Sequence, residues 1–170
     1  VNYPGQAFYH EHNPRIRRAE ETWQRKQIVD VAKSFIGTPY RRGGSLKGIG
    51  VDCGTFLLEV LRECELASNE DLSALVGDFW NHGAEEKYLL RVARHARKVL
   101  ETVCRPSSKI EAGNFIVTKM EHSQHFCHGA IVLDWPLIVH CIHPAVQQVN
   151  AGLDPMWACR PIEIYDPVKL

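Results

Sequence analysis

A cysteine becomes a nucleophile when its thiolate is stabilised, and the start of a helix supplies unpaired N–H groups and the positive end of the dipole for that purpose. Cys53 meets this description. It lies in the run Gly50-Val51-Asp52-Cys53-Gly54 and opens a stripe of apolar residues at helical spacing: Phe56, Leu57, Val60, Leu61 and Cys64. The loop before it holds Gly43, Gly44, Gly48 and Gly50, so the backbone there can turn sharply and approach a ligand closely. Cys64, Cys104 and Cys159 have no such setting and read as small apolar side chains.

A thiol nucleophile needs a base within hydrogen-bond reach, and the base needs a third group to fix its orientation. Nine histidines occur in the chain, and His122, His125, His128, His140 and His143 fall in one short stretch. The runs His128 to Leu133 and Leu137 to Ile142 read as two strands joined near Trp135 and Pro136. A turn centred on Asp134 sets His128 directly opposite His140 on one face, with Cβ atoms roughly 5 Å apart. The same register sets Cys127 opposite Cys141 on the other face, as a packed thiol pair or, alternatively, a cross-strand disulfide. Cys127, Cys141 and the five histidines are all legitimate zinc ligands. No short ligand pair is followed by a second, however, and alternation splits these side chains between two faces, so no metal is expected.

The elements that must position these residues follow from periodicity. Residues 1–20 mix Gly, Pro, His and Arg without a period and read as an irregular arm, leaving 21–170 as the catalytic domain. Trp23, Ile28, Val31, Ala32 and Phe35 form a helical stripe from Glu20 onward, stopped by Gly37 and Pro39. Asn69 is placed to cap a short helix over Glu70 to Val76, and Ala84 to Cys104 reads as a longer helix. After Arg105 the pattern changes to strands: Asn114 to Thr118, the two histidine strands, and Arg160 to Tyr165. Helices first and strands later imply an α+β fold with an antiparallel sheet.

A chain of 170 residues suits one such domain. Acidic and basic residues number 20 each, so no net field favours nucleic acid or an anionic membrane surface. The six cysteines are widely spaced with no CxxC pair, and neither a signal-peptide core in Val1 to Glu21 nor a membrane-length apolar run is present. The expectation is a protein made in the cytoplasm with mostly free thiols and no membrane span.

Ala32 to Tyr40, Gly43-Gly44 and Gly50 to Gly54 together resemble the signature that leads into the nucleophile helix of the NlpC/P60 family of cell-wall cysteine peptidases. Glu111 to Phe115 is similar to that family's turn into its first sheet strand. His128 to Val132 and Ile138 to Cys141 are similar to the strands that carry its catalytic histidine and third polar residue. The resemblance covers roughly Val31 to Leu61 and Ile110 to Tyr165, and it implies a papain-like α+β fold.

It also implies that Cys53 attacks, His128 is the base, and His140 orients His128. Tyr40 would help the oxyanion hole beside the Cys53 amide, Asp52 would receive the amino end of a stem peptide, and Gly54 would border the substrate pocket. No cofactor is implied. Gly54 stands where the family usually has Ser, and Asn114 where it usually has Asp. The implied substrate is a peptidoglycan stem peptide, cut between D-glutamate and a diamino acid. The TPYRRGG and GIGVDCG segments, a long helical insert before the sheet and Trp157 to Pro161 look most like phage-tail and gene-transfer-agent enzymes. Phage-like tail proteins would then deliver this one to the wall. Alternatives are an acyltransferase or amidase on the same fold and a non-catalytic tail structural protein.

Overall fold

The computed structural model describes residues 13–71, 73, 89, 93–102, 110–121, 123 and 125–168. Helix α1 spans Pro14–Ser34: the Asn13 side chain accepts the Arg15 N–H, and Pro14 occupies a first-turn position where a missing N–H costs nothing. It buries Ile28, Val29 and Ala32. The irregular arm expected over 1–20 is therefore helical from Pro14 onward, and residues 1–12 lie outside the described residues.

Helix α2 spans Cys53–Glu63 and buries nearly its whole surface, from Gly54 through Leu61. Between the helices a two-stranded ribbon, β1 (Ser45–Leu46) and β2 (Gly50–Val51), runs antiparallel and delivers the chain to Cys53. The remaining strands are β3 (Arg97–Thr102), β4 (Phe115–Lys119), β5 (Phe126–Asp134), β6 (Leu137–Ile142), β7 (Ala145–Asn150) and β8 (Ile162–Asp166). They form one antiparallel sheet in the order β3-β8-β4-β5-β6-β7. One face, with Phe115, Val117, Ile131, Leu133, Val139 and Cys141, packs on Phe35, Phe56, Leu57 and Leu61 of the helical layer. The other, with Ile116, Ala130, Val132, Ile138 and Ile164, is covered by Ala151 and Trp157. The result is the expected α+β papain-like fold, with helices on an antiparallel sheet.

Three local expectations are corrected. Arg97–Thr102, read as the end of a helix from Ala84, is a strand: pairing with β8 outweighs the helical preference of its residues. Most of the earlier part of that segment lies outside the described residues. The cap near Asn69 is Ser68, which exchanges hydrogen bonds with Asp71, its Oγ accepting the Asp71 N–H while Asp71 Oδ2 accepts the Ser68 N–H. Third, His140 pairs with Ala130 and not with His128. The turn is the two-residue Trp135-Pro136 enclosed by the Asp134–Leu137 pair, and one extra β5 residue between Val132 and Asp134 shifts the register by one; together they set the pairing two positions from the expected one, which preserves the face while moving the partner.

Candidate active site

Asp52 sets up the start of α2. Its Oδ1 accepts the Gly54 and Thr55 N–H groups at 3.1 and 2.9 Å, and the Asp52 N–H donates back to Thr55 Oγ1 at 2.8 Å, a reciprocal capping box. The same two side chains hold the preceding loop: Gly43 N–H donates to Asp52 Oδ2 at 2.8 Å, and Thr55 Oγ1 donates to the Gly44 carbonyl at 2.5 Å. A Cβ on Gly44 would lie 2.6 Å from the Gly50 carbonyl oxygen, so glycine there serves close approach within the protein's own backbone. Asp52 is 2% exposed. Its carboxylate is a buried cap and loop tie. Thr55, which no chemical expectation singled out, was legible as the fourth residue of the Asp-x-x-Thr spacing.

Cys53 is the first residue of α2, half-buried, and its own N–H belongs to the turn whose amides have no intrahelical acceptor. Its thiol points at the carbonyl of Cys127 at 3.9 Å, the residue immediately before His128. A second bulge, with Cys127 the extra residue on β5 opposite the step from Thr118 to Lys119, interrupts the β4–β5 ladder where His128 pairs with Thr118. Such bulges redirect side chains at the end of a strand. Helix α2 can come this close to β5 because residue 129 is glycine: a Cβ there would lie 2.5 Å from Leu57 Cδ1. No hydrogen bond joins the Cys53 thiol to the His128 ring among the described residues, a common state of a thiol–imidazole pair before substrate binds.

His128 and His140 meet despite the shifted register. The His128 Nε2 and His140 Nδ1 atoms are 3.0 Å apart, with the ring planes nearly perpendicular. His140 is 1% exposed, and its Nε2 lies 3.3 Å from the Gln147 side-chain amide. Burial, and secondarily His140, push the His128 pKa down to about 3. Burial also lowers that of His140, against an opposing pull from Asp154. The Cys53 thiol moves the other way: burial raises its pKa, helped by Asp52, Cys141 and Cys127, while the Gly54 N–H opposes the rise. Both shifts have one physical cause: a low-dielectric site disfavours thiolate and imidazolium alike.

Tyr40 lies beside this cluster. Its N–H donates to the Pro144 carbonyl at 2.8 Å and it bridges to Val51. Burial raises the pKa of its hydroxyl, and the neighbouring Cys53 raises it further. Gly54 is buried with its N–H directed at Asp52, so it offers the site its small size. Cys127 and Cys141 are free thiols; Cys141 is buried and donates to the Val51 carbonyl at 3.3 Å, so the cross-strand disulfide is not formed. Among the described residues no group of three or more His, Cys, Asp or Glu is arranged to hold a metal ion, and His122 lies outside them. No described helix is long and apolar enough to cross a membrane.

No protein-family model matches the chain, and no curated protein does. Solved structures do. The NlpC/P60 domain of the peptidoglycan hydrolase SagA superposes over 82% of this chain and 97% of its own, with a TM-score of 0.55 at 19% identity. An NLP/P60 lipoprotein-like protein of Staphylococcus aureus gives 0.58 at 14% identity over 87% of this chain, which spans 42% of that longer one. The P60 domain of a Mycobacterium avium paratuberculosis antigen gives 0.54 at 12% identity, over 86% and 96%. At these identities the likeness is one of fold: the chain has the architecture of an NlpC/P60 domain.

Proposed function

We propose that this chain is a cysteine peptidase of the NlpC/P60 type that hydrolyses amide bonds in peptidoglycan stem peptides. The observation that carries the proposal is the convergence of Cys53, at a helix start, on the residue preceding His128, whose ring is bonded to a buried second histidine at 3.0 Å. Its occurrence on an NlpC/P60 architecture supplies the substrate class. SagA is itself named a peptidoglycan hydrolase.

In this reading a bound amide displaces water from the cleft, and His128 takes the Cys53 proton as sulfur attacks the carbonyl carbon. The tetrahedral oxyanion is met by the Cys53 N–H and the Tyr40 hydroxyl. His128 then returns the proton to the leaving amine, and water repeats the sequence to release the acid. His140 holds the His128 ring throughout. Asp52 acts by keeping the helix start and the glycine loop in place. Burial disfavours the charged form of both Cys53 and His128, which suits proton transfer during attack.

The finer proposal is cleavage between D-glutamate and a diamino acid, with delivery by a phage-like tail. The bond follows from the likeness of the Gly50 to Gly54 and His128 to Val132 motifs, and delivery from the TPYRRGG and Trp157 to Pro161 segments. Incubation with defined muropeptides and, separately, with casein tests the substrate class by product mass. Release of diamino-acid fragments from muropeptides supports the proposal; cleavage of casein alone, or of the bond between sugar and L-alanine, overturns it.

A further inference from the structure

We infer that Trp157 is a positioning residue that sets the proton arrangement of the histidine pair, and so decides which nitrogen of His128 is free to act; the inference rests on the peptidase reading. Trp157 is 3% exposed, and its indole Nε1–H donates to His140 Nδ1 at 3.3 Å. An indole N–H can only donate. His140 Nδ1 is therefore the bare nitrogen of a neutral imidazole, and the His140 proton sits on Nε2.

The rest follows by elimination along the chain of contacts. His128 Nε2 lies 3.0 Å from the same bare nitrogen, so it must carry the proton and donate it. That leaves His128 Nδ1 as a lone pair, the only nitrogen of the ring able to accept the thiol proton. On the other side, His140 Nε2–H requires an acceptor, and the Gln147 amide at 3.3 Å satisfies it once its oxygen faces the ring, a half-turn of a side chain whose nitrogen and oxygen are near-identical in shape. Without the indole N–H the same 3.0 Å contact could run in reverse. His140 Nδ1 would donate to His128 Nε2, the His128 proton would move to Nδ1, and the base would meet Cys53 with no lone pair.

Trp157 is suited to this task in a second respect. Its ring lies 5.5 Å from the His128 ring and 5.9 Å from the His140 ring, centroid to centroid, so it shields the bond between them from water. It reaches the pair from the segment between β7 and β8 and not from the hairpin that carries the histidines.

The test is a two-bond proton–nitrogen correlation spectrum of the full chain labelled with 15N-histidine, at neutral pH, which reads the protonated nitrogen of each ring. The wild-type protein is expected to show His128 and His140 both protonated on Nε2. In Trp157→Phe, which keeps an aromatic ring and removes the donor, the Nδ1-protonated form of His128 should appear, and alkylation of Cys53 by iodoacetamide should slow about tenfold, the scale of one buried hydrogen bond. A wild-type His128 protonated on Nδ1, or tautomers and alkylation unchanged in Trp157→Phe, overturns the inference. If that variant does not fold, the wild-type spectrum alone decides. Since the spectrum uses no substrate, failure of the protein to cleave muropeptides would overturn the peptidase reading and leave this assignment standing.

Discussion

Replacing Asp52 by alanine separates two roles that are easily confused, support of the site and contact with substrate. The wild-type carboxylate accepts the Gly54 and Thr55 N–H groups and the Gly43 N–H, and it is almost fully buried. Loss of a helix cap costs about 1 kcal/mol, and loss of the bond from the half-buried Gly43 N–H about 0.5–1.5 kcal/mol more. Asp52→Ala should therefore destabilise the domain by about 1.5–2.5 kcal/mol, a sizeable share of the ~5–15 kcal/mol typical of a folded domain. Asp52→Ser should recover about the capping part, because its hydroxyl can serve the helix start but is too short to reach Gly43. Urea titrations followed by tryptophan fluorescence give the midpoints. The predicted order is wild type, then Ser, then Ala, with the slope unchanged. An alanine variant with the wild-type midpoint and no activity would refute the reasoning and place the carboxylate on the substrate.

The close helix–strand approach predicts that Gly129→Ala, which forces a methyl against the buried Leu57, destabilises the protein by about 1–3 kcal/mol. It should also slow Cys53 alkylation; adding Leu57→Ala should cost less than the sum of the single changes, and strict additivity would argue against the contact. The buried pair predicts a pH dependence of stability: unfolded histidine binds a proton near pH 6.5, whereas His128 in the fold resists until about 3. Stability is thus complete above the ordinary histidine range and falls as pH drops toward 3, by up to about 1.4 kcal/mol per pH unit. Midpoints at neutral and mildly acid pH, with His128→Gln showing a shallower fall, check this; equal slopes would contradict it. Because burial lowers the His128 pKa, the acid limb of a pH–rate profile should fall below the ordinary histidine range, and a decline centred near pH 6.5 would contradict this. Chelator treatment should leave hydrolysis unchanged, and loss of a stoichiometric metal together with activity would refute the metal-free mechanism.

What was legible in the sequence was local. Cys53 stands out because an Asp-Cys pair opens a strong helical stripe, and the strands of the His128–His140 hairpin stand out by alternation. The register did not, since the bulge between Val132 and Asp134 has no marker in residue type. The face survived because the shift was even. Asn13-Pro14 is a helix start in plain view, yet the first turns of α1 are exposed and polar and carry no stripe to announce it. The strand character of Arg97–Thr102 depends on β8, far along the chain. Strand β7, with Val146 and Val149 set among glutamines, gained its identity only from pairing with β6. The contact of Trp157 with His140 is likewise tertiary.

The central claim, that Cys53 is the nucleophile of an amide hydrolase, is tested most directly by digesting defined muropeptides with the wild-type protein and with Cys53→Ala, weighing the products, and measuring the urea midpoint of both. Cleavage by the wild type, none by the variant, and closely similar midpoints are the predicted result. Cleavage by a folded Cys53→Ala protein would contradict it.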